Sequence, residues 1–441
     1  MRVLHVPFCF YPDPVGGTEI YVANLCRALG DVGVQTLIGA PASAPASYRH
    51  EGLDVRRFAI GAHVEHVRDL YSGAGDATAT AQFAALLDTE QPDIVHLHAF
   101  NRGASLDMLA AARLRSIPAV FTYHLPGVTC QRGTLLRWGA VPCDGQLRPH
   151  RCASCTLHGL GLPMAASQLL GRVPRTAGRG IAALGLQGKA WTALQMPALI
   201  DARKQSLRAL LAACARVVVL CAWAEQLLVT NGARREQLLL SRHGITYTLV
   251  APRLYLDSPE LRVAFVGRMY PIKGADVLIR AMRARPELPV RLDLYGVTQE
   301  EQSVCYLAWL RQLAEGDARI SFFEPVPNSE VIGLLAGYDL LAVPSQWLET
   351  GPLVVLEAFA AGTPVLGSRL GGIAELVRDG IDGLLVEPAS VQLWAKALAM
   401  LAQDRPRLAQ LRAAVRPPRT MAIVATEMRV LYEELQAAQQ P

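Results

Sequence analysis

Four side chains in the second half of this chain are suited to handling a charged leaving group: Arg268, Lys273, Glu349 and Glu357. Arg268 and Lys273 lie in Gly267-Arg-Met-Tyr-Pro-Ile-Lys-Gly274, directly after the apolar run 263–266. A guanidinium suits two-pronged phosphate contacts and an ammonium acts as a point charge. A cation pair beside a developing diphosphate is what departure of a nucleotide requires. Glu349 and Glu357 stand in an E-x7-E spacing within 340–377, LLAVPSQWLETGPLVVLEAFAAGTPVLGSRLGGIAELV. Glu357 sits among Val355, Leu356, Ala358, Phe359 and Ala360, and a carboxylate in so apolar a helix needs a partner. Gly351-Pro352 opens that helix, with Pro where a missing N–H costs nothing. The amides of Leu353 and Val354 then face the position where the helix dipole favours an anion. The plainer readings are a structural ion pair at Glu357 and solvated surface charges at Arg268 and Lys273.

The first half offers histidines and glycines. An apolar strand at 3–8 leads into Phe10-Tyr-Pro-Asp-Pro-Val-Gly-Gly17, and a helix capped by Thr18 runs to about Gly30. Glycines between a strand end and a helix start let backbone approach a ligand, so Gly16 and Gly17 make either a ligand loop or an ordinary turn. No G-x-G-x-x-G is present, which argues against NAD. Strands at 36–39, 55–60, 93–98 and 119–124 alternate with helices at 77–88 and 104–115. That rhythm predicts a parallel sheet covered on both faces, with ligands at the carboxyl ends of its strands. His98 and His124 fall at such ends. His96 could equally be a satisfied core histidine.

Taken in order, these motifs, with AGTPV and GGIAELVRDGIDGLLVEP, resemble the family 4 glycosyltransferases. The resemblance is dense over 261–390 and looser over 1–125. It implies the GT-B fold, two Rossmann-like doubly wound α/β domains facing each other across a cleft that closes. It implies retaining transfer of a sugar from a nucleotide sugar. Glu349 would hold hydroxyls of the donor sugar, and Glu357 the ribose. Gly351, Leu353 and Val354 would meet the diphosphate through their backbone, as would Gly16 and Gly17 from the other domain. Arg268 and Lys273, with Gly267 at their loop, would contact the donor phosphates, and His124 would stand between donor phosphate and acceptor. The expected base contact falls at Val326. The chain departs from the family pattern at Tyr295-Gly296, where two glycines are usual, and at Phe322-Phe-Glu-Pro-Val326, where a glycine is common.

At 441 residues, two domains are the default. The expected division is 1–250, with a cationic, Cys-rich insertion at about 126–200, and 251–419, with a last helix at about 420–441 crossing back to the first domain. A formal charge of +5 is too small and dispersed to imply nucleic acid. Neither a signal peptide nor a run of apolar residues long enough to span a bilayer is visible, so a cytoplasmic location is expected. From 145 to 200 there is no acidic residue, while Arg148, Arg151, Arg172, Arg175, Arg179 and Lys189 are present. That insertion is either a surface for an anionic bilayer or a cap over the acceptor. Cys130, Cys143, Cys152 and Cys155 could wrap a structural zinc or be independent thiols, their spacings being looser than a paired C-x2-C pattern. The absence of any D-x-D favours catalysis without a metal. The leading reading is a glycosyltransferase acting on a glycan or lipid-linked acceptor in cell-surface polysaccharide or glycoconjugate synthesis. The alternatives are a sugar-nucleotide epimerase of the same build and a non-catalytic nucleotide-sugar-binding protein.

Overall fold

A computed structural model describes all residues except 14–15, 62–67, 248–258, 299 and 440–441. Most of the linker expected at 246–260 therefore lies outside the described residues. The chain divides into two compact units, Met1–Arg242 with Ala422–Pro441, and His243–Met421. No helix among the described residues is long and apolar enough to cross a membrane.

The first unit is built on β1 (Arg2–Val6), β2 (Gln35–Ala42), β3 (Ala46–His50), β4 (Leu53–Ala59), β5 (Ile94–Leu97), β6 (Ala119–Tyr123), the short pair β7 (Leu136–Arg137) and β8 (Val141–Pro142), β9 (Arg216–Val219) and β10 (Leu238–Leu240). Its main sheet has the order β10-β9-β6-β5-β1-β2-β4-β3. All neighbours pair in parallel except β3, which runs antiparallel along the edge. The wholly parallel sheet expected from sequence is corrected there: β3 is polar and half exposed, so it carries no apolar signal. Central strands are apolar on both faces, as β5 and β6 show by burying every residue.

The insertion holds three short helices, Pro149–Gly159, Met164–Leu170 and Arg175–Ala183, the last two beginning directly after Pro163 and Pro174. These prolines end one helix and open the next, as their fixed φ and missing N–H dictate. A 25-residue helix, Lys189–Ala213, follows and runs through Pro197. Its start is hidden in the sequence, because a proline inside a helix reads as a boundary. The first helix is Gly17–Asp31, capped by Gly16 rather than Thr18. The reason is Glu19, whose carboxylate accepts from the Gly16 amide at 2.9 Å.

The second unit carries β11 (Leu261–Arg268), β12 (Val290–Val297), β13 (Ile320–Phe323), β14 (Leu340–Val343), β15 (Val365–Ser368) and β16 (Gly383–Val386). They form one parallel sheet ordered β13-β12-β11-β14-β15-β16, which is Rossmann order. The order reverses between β11 and β14, and the two loops richest in candidate residues leave from those two strands. One core packs Leu278, Ile279, Leu292, Leu294 and Trp394. A second packs Val355, Ala358 and Phe359 of the helix Leu353–Ala360 with Leu341, Val343 and Val365.

Candidate functional site

In the second unit the loops after β11 and β14 meet. Gly274 has φ +73°, and a Cβ there would lie 2.1 Å from the carbonyl oxygen of Pro344, so only glycine allows the approach. The amide of Gln346 donates to the carbonyl of Ile272 at 2.8 Å and ties the loops together. Lys273 is thereby carried to Glu349, its Nζ standing 2.9 Å from both carboxylate oxygens. The Ser345 hydroxyl donates to the same carboxylate. Lys273 also lies 5.7 Å from the ring centroid of Trp347. Glu349 is 6% exposed, which makes this a largely desolvated pair. Sequence assigns the two residues to separate ligand groups; the structure joins them to each other. Arg268 is exposed, its guanidinium 5.6 Å from the Tyr270 ring, and a Cβ on Gly267 beside it would lie 3.8 Å from the Phe265 ring.

The loop bearing Glu349 is held from behind by Gly371 and Gly372. The Gly372 amide donates to the Glu349 carbonyl at 2.6 Å. A Cβ on Gly371 would sit 2.9 Å from the Glu349 nitrogen, and one on Gly372 2.7 Å from the Gly351 nitrogen. Gly351 itself has φ +137° and lies against the buried ring of His243. The helix then starts at Leu353 with Pro352 as its cap. The first-turn amides of Leu353 and Val354 have no intrahelical acceptor and carry the positive end of the dipole.

Glu357, one turn further in, is 8% exposed, and Asn328 Nδ2 donates to its Oε1 at 3.0 Å. Burial pushes its pKa up to about 7, and the Asn328 bond only partly opposes the rise. No cation is paired with it among the described residues, so the ion-pair reading of Glu357 is not what the fold builds. Val326 is half-buried two residues before Asn328, in the loop that reaches Glu357. Asn328, Ser345 and the backing role of Gly371 and Gly372 are not readable from sequence. The consecutive glycines are the one signal that could have pointed to a close approach.

In the first unit His98 and His124 follow β5 and β6, and the structure joins them in a chain. His98 Nδ1 lies 3.0 Å from His124 Nε2, and His98 Nε2 lies 3.0 Å from His5 Nδ1. Burial holds His98 well below the usual range and His5 down to about 3, so both are neutral imidazoles. His96 belongs to the core, its two nitrogens bonded to Tyr432 Oη at 2.6 Å and Thr122 Oγ1 at 2.7 Å. His5, His96 and His98 are the only described trio with potential ligand atoms within 4.8 Å of one another. They do not make a metal cage: His96 and His98 stack at 4.2 Å and 27°, so their lone pairs do not converge. Gly16 and Gly17 stand at the start of their helix, the Gly16 amide engaged by Glu19.

Cys130, Cys143, Cys152 and Cys155 line one cavity of about 30 Å³. No three of their sulfurs come within 4.8 Å of each other. Cys143 donates to Asp144 Oδ1 at 3.7 Å, Cys152 to the Gln146 carbonyl at 3.8 Å and Cys155 to the Leu136 carbonyl at 3.9 Å. Burial pushes the Cys143 and Cys152 thiols up. The fold gathers the four around one cavity.

Residues 252–416 match the model of the family described as glycosyl transferases group 1, and residues 15–142 match that of Glycosyltransferase Family 4. A D-inositol 3-phosphate glycosyltransferase of Nocardia farcinica is 36% identical over 202 residues, covering 42% of this chain and 44% of the relative. The one of Corynebacterium aurimucosum is 40% identical over 151 residues, covering 33% and 35%. The matched part of the chain thus spans less than half the length of these relatives. Among solved structures, sucrose-phosphate synthase of Thermosynechococcus elongatus superposes with a TM-score of 0.70 at 20% identity, over 99% of this chain and 100% of that one. Anabaena HepE in complex with UDP and glucose gives 0.65 at 16%, over 98% and 100%. Two Rossmann-like units, the group 1 match over the second and the family 4 match over the first agree: the chain belongs to the family 4 glycosyltransferases of GT-B fold.

Proposed function

We propose that this protein transfers a sugar from a nucleotide-sugar donor to a glycan or lipid-linked acceptor, with retention and without a catalytic metal. The observation that carries the reading is the donor side of the second unit: Lys273 paired with Glu349 in the loop that precedes the helix Leu353–Ala360, with Glu357 buried one turn into that helix. In this reading Arg268 and the amides of Leu353 and Val354 take the charge of the departing diphosphate. Lys273 exchanges part of its contact with Glu349 for a phosphate oxygen, which frees the carboxylate to accept from sugar hydroxyls. Glu357 accepts from the ribose, Val326 lies near the base, and Gly16, Gly17 and Gly267 leave room for the donor. His124, backed by neutral His98, orients the acceptor or the leaving oxygen.

HepE has been solved with UDP, UDP-glucose and glucose, which supports a nucleotide sugar as donor. With no D-x-D in the chain, leaving-group charge falls to Arg268, Lys273 and the helix end. The cationic insertion exposes Leu160, Leu169 and Leu184 by 66%, 71% and 74%, which supports a cytoplasmic protein resting on an anionic membrane, in synthesis of a surface polysaccharide or glycoconjugate. A structural zinc at the four cysteines is part of the proposal and is decided by elemental analysis of the purified protein. The transferase reading is tested by thermal shift with nucleotides and nucleotide sugars, followed by transfer assays with the stabilising donor. Stabilisation by one nucleotide series is expected; none with any of them would overturn the reading.

A further inference from the structure

A cavity of the first unit, about 440 Å³, opens at the carboxyl ends of its strands. Its walls include Phe8 after β1, Pro41 of β2, Phe100 to Gly103 after β5, Gly127 and Gln131 after β6, and Arg203 from the helix Lys189–Ala213. Its wall is continuous in sequence with His98 and His124. Two arginines of the described chain are buried, Arg57 and Arg203. Arg57 is paired with Asp13. Arg203, 7% exposed, has no carboxylate partner among the described residues; its Nη2 donates to the Gly127 carbonyl at 2.6 Å and its guanidinium lies 5.5 Å from the Phe100 ring. Its Nε has no partner among the described residues. One turn on along the same helix, the Ser206 hydroxyl is also buried without a partner among the described residues, and it lies so close to Gly73 of the cavity wall that a Cβ there would come within 2.1 Å. Arg102, also in the wall, is tied to Asp76 at 2.8 Å, and the one lining carboxylate, Asp69, is only half-buried.

A buried guanidinium with no counter-charge among the described residues costs stability that one carbonyl bond and one ring contact only partly offset. We infer that this cavity receives an acceptor that carries an oxyanion, a phosphate ester or a carboxylate, and that Arg203 is the residue that receives it. Phe100 and Phe8 supply an apolar wall for the ring or chain that bears the anion. Neutral glycans would leave Arg203 uncompensated and are discriminated against. This rests on the transferase reading for the word acceptor, and not for the anion site itself.

The test is calorimetric titration of the whole protein with glucose 6-phosphate, glucuronate and glucose, and co-sedimentation with phosphatidylglycerol vesicles. Wild type is expected to bind at least one oxyanion saturably and to prefer it to glucose; the soluble and vesicle arms separate a free ester from a lipid headgroup. Arg203→Met should weaken that binding by about tenfold or more, the worth of a charged hydrogen bond, with Arg203→Lys in between. UDP affinity should be the same in all three, and Arg203→Met should melt no lower than wild type because an unpaired charge is gone. Equal affinity for glucose and its anionic counterparts, or an Arg203→Met variant that binds the anion as wild type does, would overturn the inference. If Arg203→Met melts lower, Arg203→Lys decides: weakened anion binding at a wild-type melting temperature supports the site, and unweakened binding overturns it. Donor transfer with no anion preference leaves the transferase standing and removes this site; Arg203-dependent anion binding without transfer does the reverse.

Discussion

Replacing Glu357 by Gln separates what that carboxylate does for the ligand from what it costs the fold. Burial raises its pKa from 4.5 to about 7. Between those two values the native state keeps a proton that the unfolded chain has released, so stability falls as pH rises through the window. At about 1.4 kcal/mol per unit, the deficit above pH 7 is about 3 kcal/mol. Glutamine has no charge to bury and fills the same space, and its Oε1 still accepts from Asn328. The variant should therefore match wild type near pH 4.5 and exceed it by up to about 3 kcal/mol near pH 8. At about 2–4 °C per kcal/mol this is a rise of roughly 6–12 °C, read by thermal denaturation across pH. Nucleotide affinity should move the other way. A carboxylate accepting from hydroxyls makes charge-assisted bonds, and their loss costs about 1.5–3 kcal/mol, roughly a 10–100-fold rise in Kd by calorimetry. Parallel stability profiles for the two proteins, or unchanged nucleotide affinity in the variant, would refute the reasoning.

Arg268→Ala should lower kcat/KM for sugar transfer by about 10²–10³ with an unchanged melting temperature, because the side chain is exposed and lies at the proposed phosphate position; near-normal turnover would remove its role. Glu349→Ala should lose activity and also about 1–3 kcal/mol of stability, since it strands half-buried Lys273, so Glu349→Gln is the cleaner kinetic variant; chemical denaturation of both should show the difference. Gly274→Ala should cost about 1–3 kcal/mol by the same measurement, from its left-handed φ and the contact with Pro344, and a neutral result would show that the two loops are not locked together. Acidic replacement of both Leu169 and Leu184 should abolish co-sedimentation with anionic vesicles without lowering the melting temperature, because both side chains are exposed; undiminished binding would place the membrane contact elsewhere.

Much of this molecule is written locally. Apolar runs at 263–266 and 340–343 become central strands because a parallel sheet buries both faces, and the prolines at 163, 174 and 352 mark helix starts because their missing N–H and fixed φ allow little else. The residue types of the donor side, Arg268, Lys273, Glu349 and Glu357, are legible for the same reason: their motifs sit at strand ends and a helix start, and those positions carry unmet backbone polarity. The β3 edge strand and the true start of the helix Lys189–Ala213 are not legible, since one has no apolar alternation and the other contains a proline.

Pairing across long separations is what the sequence leaves open. Lys273 meets Glu349 across 76 positions, and His5 meets His98 across 93. Asn328, rather than a cation, answers Glu357. The cysteines come to one cavity without converging, and Arg203 is buried with no acid to meet it among the described residues. Residue order sets which groups a strand end or helix start can present, through φ/ψ limits and apolar periodicity acting over a few residues. Which charge is neutralised, which is left for a ligand, and how far each pKa moves depend on desolvation and on neighbours brought from elsewhere in the chain, and only the folded structure decides those.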